Sequence, residues 1–64
     1  MTSDEFKAWR KRLGLTQARA AEVLGVTLRG IQKREAGQSP INREAIMACR
    51  YLEEHPEQLA AAGD

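Results

Sequence analysis

One glycine constrains this chain more than any other residue: Gly25, set between two short segments that each carry helical apolar spacing. Upstream, Ala20, Ala21, Val23 and Leu24 repeat at the intervals of one helical face. Downstream, Val26 bridges, and Ile31 with its neighbouring turns supplies the buried side of a segment running to Glu35. Glycine adopts left-handed backbone without steric cost, so Gly25 ends the first segment and lets the chain turn at once. Thr16 and Thr27 stand before the two segments, where N-cap hydroxyls belong. A turn this tight makes two helices cross steeply, at about 90–120°. Ala21 is small enough to admit the second helix at close range. Two helices so short cannot bury themselves, and further helices must flank them.

The rest of the sequence supplies those flanks. β-branched residues are sparse and no stretch alternates apolar with polar, so the expectation is all-α. Thr2-x-x-Glu5 has the form of a capping box. Phe6, Trp9, Arg10 and Leu13 share one face of the helix that follows, Gly14 ends it, and Leu15 folds back over its last turn. Ala36-Gly37-Gln38-Ser39-Pro40 reads as a loop. Ser39 or Asn42 caps a fourth helix with Ile41, Ala45, Ile46, Cys49 and Leu52 as its buried positions. Pro56 suits the first position of a short last helix carrying Leu59, within a tail over 56–64 expected to fray in part. The expected architecture is one domain over 1–64, a compact bundle of four to five helices with no repeats.

A chain of 64 residues hides little of its surface, about 60%. Its core is thin, with little room for a catalytic cleft. Cys49 is the only cysteine, which excludes an intrachain disulfide, and one Cys with one His (His55) cannot make a four-ligand zinc site. No metal and no cofactor are expected, and self-association is the natural source of added stability. There is no apolar run long enough to span a membrane. The polar, acidic start Met1-Thr2-Ser3-Asp4-Glu5 is unlike a signal peptide, so the expected location is the cytoplasm. The net charge of +1 divides unevenly. Residues 1–37 carry +4, through Lys7, Arg10, Lys11, Arg12, Arg19, Arg29, Lys33 and Arg34 against Asp4, Glu5, Glu22 and Glu35. Residues 38–64 carry −3. A basic front and an acidic back suit a protein that turns one face to a polyanion, although solvated helix surface gives the same pattern.

The stretch from Thr16 to Gly37, TQARAAEVLGVTLRGIQKREAG, resembles the Cro and phage-repressor (Xre-like) helix-turn-helix family. Thr16, Gln17, Ala20, Ala21, Leu24, Gly25, Val26, Thr27, Ile31, Glu35 and Gly37 fall in register with its pattern, and the helix-turn-helix occupies about 16–36. The likeness extends over about residues 4–54. Two positions depart from it. Ala20 stands where the family usually has Leu, leaving space for Trp9 or Phe6 to fill. Arg34 stands where a large apolar residue is usual; its aliphatic stem can still cover apolar surface while the guanidinium reaches solvent or phosphate.

The resemblance implies a lambda-repressor-like fold and a sequence-specific regulator that sets its third helix in the major groove of double-stranded DNA. Leu28, Arg29, Gln32 and Lys33 are then the candidate base contacts, since Ile31 and Glu35 face inward. Arg29 suits the O6 and N7 of guanine, Gln32 suits adenine, and Leu28 suits a thymine methyl, while Lys33 takes a base or a phosphate. Gln17, Thr16, Thr27, Gln38, Ser39, Asn42 and Arg43 are the candidate backbone contacts, with capping as the simpler role for both threonines. The resemblance also implies a partly buried ion pair between Arg10 and Glu35. Gly30, inside the recognition helix, either admits a close approach to DNA or is a tolerated weakness.

One short helix reads too few base pairs to find a genomic site, so a homodimer on a palindromic operator is expected. Met47, Tyr51 and Leu59 are the candidate interface, unless they complete the core. Repression, and autorepression in particular, is the simplest regulatory scheme. An enzyme is not expected: His55 has no nucleophile pattern near it, Cys49 sits among apolar residues, and no phosphate loop or HExxH appears. The rival reading is an antitoxin-like or other protein-interaction module on the same fold.

Overall fold

Five α-helices and no strand make up residues 1–61, the part the computed structural model describes, with side chains described to residue 59. In order they are α1 (Ser3–Arg12), α2 (Gln17–Leu24), α3 (Leu28–Glu35), α4 (Arg43–Glu54) and α5 (Glu57–Ala61). Each of the first four opens on a side-chain cap. Thr2 and Glu5 form a reciprocal capping box on α1, and the hydroxyls of Thr16 and Thr27 accept from Arg19 N and Gly30 N, both at 3.0 Å. At α4 it is Asn42 that caps, its Oδ1 accepting from Ala45 N at 2.9 Å. Such caps satisfy N–H groups that the first helical turn leaves without partners.

Three helices also close alike. The N–H of Leu15, Val26 and Gln38 reaches back to the carbonyl of Arg10, Ala21 and Lys33, at 3.0, 2.9 and 2.8 Å. This closure needs a left-handed residue just before the donor. Gly25 supplies it between α2 and α3 at φ +69°. A side chain there would strain the turn, so the crossing of α2 on α3 depends on this glycine.

Phe6, Trp9, Leu15, Ala20, Ala21, Ile31, Cys49 and Leu52 form one buried cluster that touches the first four helices. The rings of Phe6 and Trp9 stack at 5.7 Å between centroids and share this cluster with Ala20, so an aromatic pair occupies the centre beside the small residue. Trp9 Nε1 donates to the Cys49 carbonyl at 3.0 Å, satisfying the indole and binding α1 to α4. Ile41 and Ile46 are only partly buried, where the spacing predicted burial. The last helix starts one residue later than expected, at Glu57, its first turn made by Gln58 N and Leu59 N reaching the His55 and Pro56 carbonyls. Residues 62–64 of the tail expected to fray lie outside the described residues. Among the described residues no helix is long and apolar enough to cross a membrane.

Candidate nucleic-acid interface

Helix α3 buries one side chain completely, Ile31. With that face inward, Leu28, Arg29, Gln32 and Lys33 all turn out and are exposed. Leu28 keeps 44% of its surface exposed. The side chains of Arg29, Gln32 and Lys33 make no hydrogen bond or ion pair with the described residues. They line one shallow open depression together with Ala36 and Gln38. Gln38, on the loop after α3, thus joins the face of the candidate base contacts. An eight-residue helix is about 12 Å long, close to the width of a B-DNA major groove, about 12 Å.

The candidate backbone contacts divide into two groups. Arg43 and Gln38 are exposed and free of side-chain partners among the described residues, and Ser39 is partly buried. Thr16, Thr27 and Asn42 spend an oxygen on capping, which leaves their O–H or N–H donors for another acceptor. Gln17 is already engaged: its Nε2 lies 3.4 Å from Glu35 Oε1.

Arg10 and Glu35 form the polar centre of the helix-turn-helix. Arg10 Nε donates to Glu35 Oε2 at 2.7 Å and Nη2 to Oε1 at 3.1 Å, while Nη1 donates to the Leu15 carbonyl at 2.9 Å. The two side chains are only 12% and 6% exposed. Burial by itself raises the Glu35 carboxyl, but hydrogen bonds from Arg10 and Gln17 and the charges of Arg10 and Lys7 outweigh it and hold the group below 4.5. Glu35 is therefore ionised, and the Arg10 guanidinium neutralises it in place.

Gly30 has a local explanation. A Cβ built there would lie 3.3 Å from the Thr27 hydroxyl, so the missing side chain leaves room for the hydroxyl that caps α3. Arg34 is half-buried and lines a depression with Leu24, Val26, Asn42, Glu44, Ala45 and Ala48, as a stem covering apolar surface should. Leu59 is partly buried and packs against the core cluster, the alternative role given to it above. Met47 and Tyr51 do remain exposed, at 59% and 52%. The sequence reading also missed Arg19, which donates to Glu22 at 2.8 Å and to the Leu59 carbonyl at 2.6 Å, tying α2 to α5. Its three-residue offset from Glu22 was a visible signal; the carbonyl 40 residues away was not. Among the described residues no cluster of acids, His and Cys could hold a metal ion.

Residues 6–59 match the Cro/C1-type helix-turn-helix family. The chain belongs to it. No curated protein and no solved structure shows significant similarity to the chain. Membership makes this helix-turn-helix protein a DNA-binding domain of the regulatory kind, in a family where enzymes are not typical. It also gives the all-helical, lambda-repressor-like arrangement of α1 to α5 its family context.

Proposed function

We propose that the chain, as a single helix-turn-helix domain acting in the cytoplasm, is a sequence-specific repressor or autorepressor. It binds a palindromic operator as a homodimer, with α3 of each copy in the major groove. The observation that carries this reading is the outward face of α3: Leu28, Arg29, Gln32 and Lys33 exposed together, with no partners among the described residues for the three polar ones. In this reading Arg29, Gln32 and Leu28 read bases and Lys33 takes a base or a phosphate. Arg43, Gln38, Ser39, Asn42, Gln17 and the two capping threonines set the register on the backbone.

The test is selection of duplexes from random DNA, followed by binding at several salt concentrations. A palindromic consensus is expected, with half-sites about 34–36 Å apart. Arg29→Ala should relax preference at one position, by about 1–3 kcal/mol. Lys33→Ala should weaken all sequences alike and lower the salt slope by about one, if it takes a phosphate. Absence of any shifted duplex at any salt concentration rejects the reading and leaves the protein-interaction alternative. For the dimer, Met47 and Tyr51 are the exposed apolar residues of α4, and Tyr51 lines an open groove of about 300 Å³ with Val23, Ala48, Leu52 and Gln58. Tyr51→Glu should shift the chain toward monomer in analytical ultracentrifugation. An unchanged sedimentation profile places the interface elsewhere.

A further inference from the structure

We propose that Glu35 is a positioning residue for DNA: it holds the Gln17 side chain so that the remaining amide hydrogen meets a phosphate. The inference rests on the DNA reading above and adds to it a residue that touches no nucleic acid itself. Its basis is a chain of contacts. Arg10 grips both oxygens of Glu35, at 2.7 and 3.1 Å, and Oε1 of the same carboxylate lies 3.4 Å from Gln17 Nε2. A side-chain amide nitrogen carries two hydrogens. One is committed to Glu35, which leaves the second for an acceptor outside the protein.

The neighbourhood favours an anion there. Gln17 is the first residue of α2, where backbone N–H groups and the helix dipole attract negative charge. Arg10 also donates from Nη1 to the Leu15 carbonyl, two residues before Gln17. One guanidinium thus ties the start of α2 and the end of α3 to α1, and fixes where Gln17 begins as well as where its amide points. Without Glu35, that amide turns among several rotamers, and binding then carries the entropy cost of choosing one.

The charge of Glu35 makes the idea testable, because electrostatics and positioning predict opposite signs. Glu35→Gln removes a negative charge near a polyanion, so charge alone predicts tighter binding. Positioning predicts weaker binding, and only while Gln17 is present. The experiment is a double-mutant cycle of Glu35→Gln and Gln17→Met, binding the tightest duplex selected from random DNA, with folded fraction corrected by circular dichroism. Gln17→Met should weaken binding about tenfold, the scale of one hydrogen bond. The loss should be equal at all salt concentrations, since an uncharged amide displaces no counterion. Glu35→Gln should weaken binding by a similar factor in the natural sequence and not at all beside Gln17→Met. Tighter binding by Glu35→Gln in the natural sequence overturns the proposal. Equal weakening in both backgrounds also overturns it, because α3 has then simply moved.

A second measurement needs no DNA. The side-chain amide protons of Gln17 should shift in a proton–nitrogen spectrum of the folded protein as Glu35 titrates below pH 4.5. If they stay constant through the Glu35 titration, the contact does not orient Gln17. A chain that binds no duplex but shows this titration overturns the DNA reading and leaves the contact standing.

Discussion

Helices α3 and α4 lie in the same small molecule and are held by different forces. Helix α4 runs twelve residues and buries Ala45, Cys49 and Leu52, with Trp9 Nε1 on the Cys49 carbonyl as its polar link. Helix α3 runs eight residues and buries Ile31 alone. Beside that one buried side chain, α3 leaves Leu28, Arg29, Gln32 and Lys33 exposed while it packs on α1 and α2. The Arg10–Glu35 pair and the Thr27 cap add polar ties to that packing. Apolar contact adapts to small rotations, whereas a two-point guanidinium–carboxylate grip has one geometry. The orientation of α3 relative to α1 is thus fixed at a polar contact, that of α4 mainly at an apolar one.

The largest expected effect tests the packed half. Trp9→Ala removes a ring that is 1% exposed and the link to Cys49. It should cost about 3–5 kcal/mol, enough to unfold most of a domain of this size at room temperature. A urea midpoint near that of the natural sequence would break the contrast, because α4 would then not depend on the aromatic core.

Arg10→Met comes next and tests the polar half. It strands the buried Glu35 carboxylate and should cost about 3 kcal/mol at neutral pH. The pH dependence carries the sign. Glu35 is held below 4.5 in the folded state, so its stabilisation is present above pH 4.5 and is lost as pH falls through the lower folded value. In Arg10→Met the stranded carboxyl protonates instead, so the gap between the two proteins should narrow on acidification. Urea midpoints at pH 7 and pH 4 measure it. A gap that stays constant between them means that Glu35 is not the group being stranded.

Smaller effects sharpen the comparison. Thr27→Ala removes the hydroxyl that caps α3 and should cost about 1 kcal/mol in thermal melting. Thr16→Ala should cost about as much at α2. A silent Thr27→Ala would assign the start of α3 to packing alone. Smallest of all is Arg12→Gln. Arg12 pairs with Glu53 between α1 and α4, but the side chains are 60% and 38% exposed. Exposed pairs contribute about 0–1 kcal/mol, so its melt should be nearly that of the natural sequence.

What could be read in advance follows the range of each interaction. The caps of Thr2, Thr16 and Thr27 reach three residues along the chain, and the residues themselves announce them. At Ser39 and Asn42 two candidates competed. The choice depended on how the loop leaves α3, and Asn42 won. Leu59 looked surplus because nothing local shows that α5 folds back on α2. Arg19 at the Leu59 carbonyl is one contact that brings it there. The Gln17 contact crosses from α2 to α3, so only the helix crossing reveals it.

Apolar spacing, hydroxyl caps and a glycine at Gly25 made this chain a set of short helices with one tight corner, because each acts within a turn or two of itself. Tertiary packing decided which polar side chains became internal ties and which stayed free, and only the family resemblance let the Arg10–Glu35 tie be anticipated. Arg10 and Arg29 are the same residue type on neighbouring helices. One is gripped by Glu35 and the other is exposed without a partner among the described residues, since the helix crossing brought a carboxylate to only one of them.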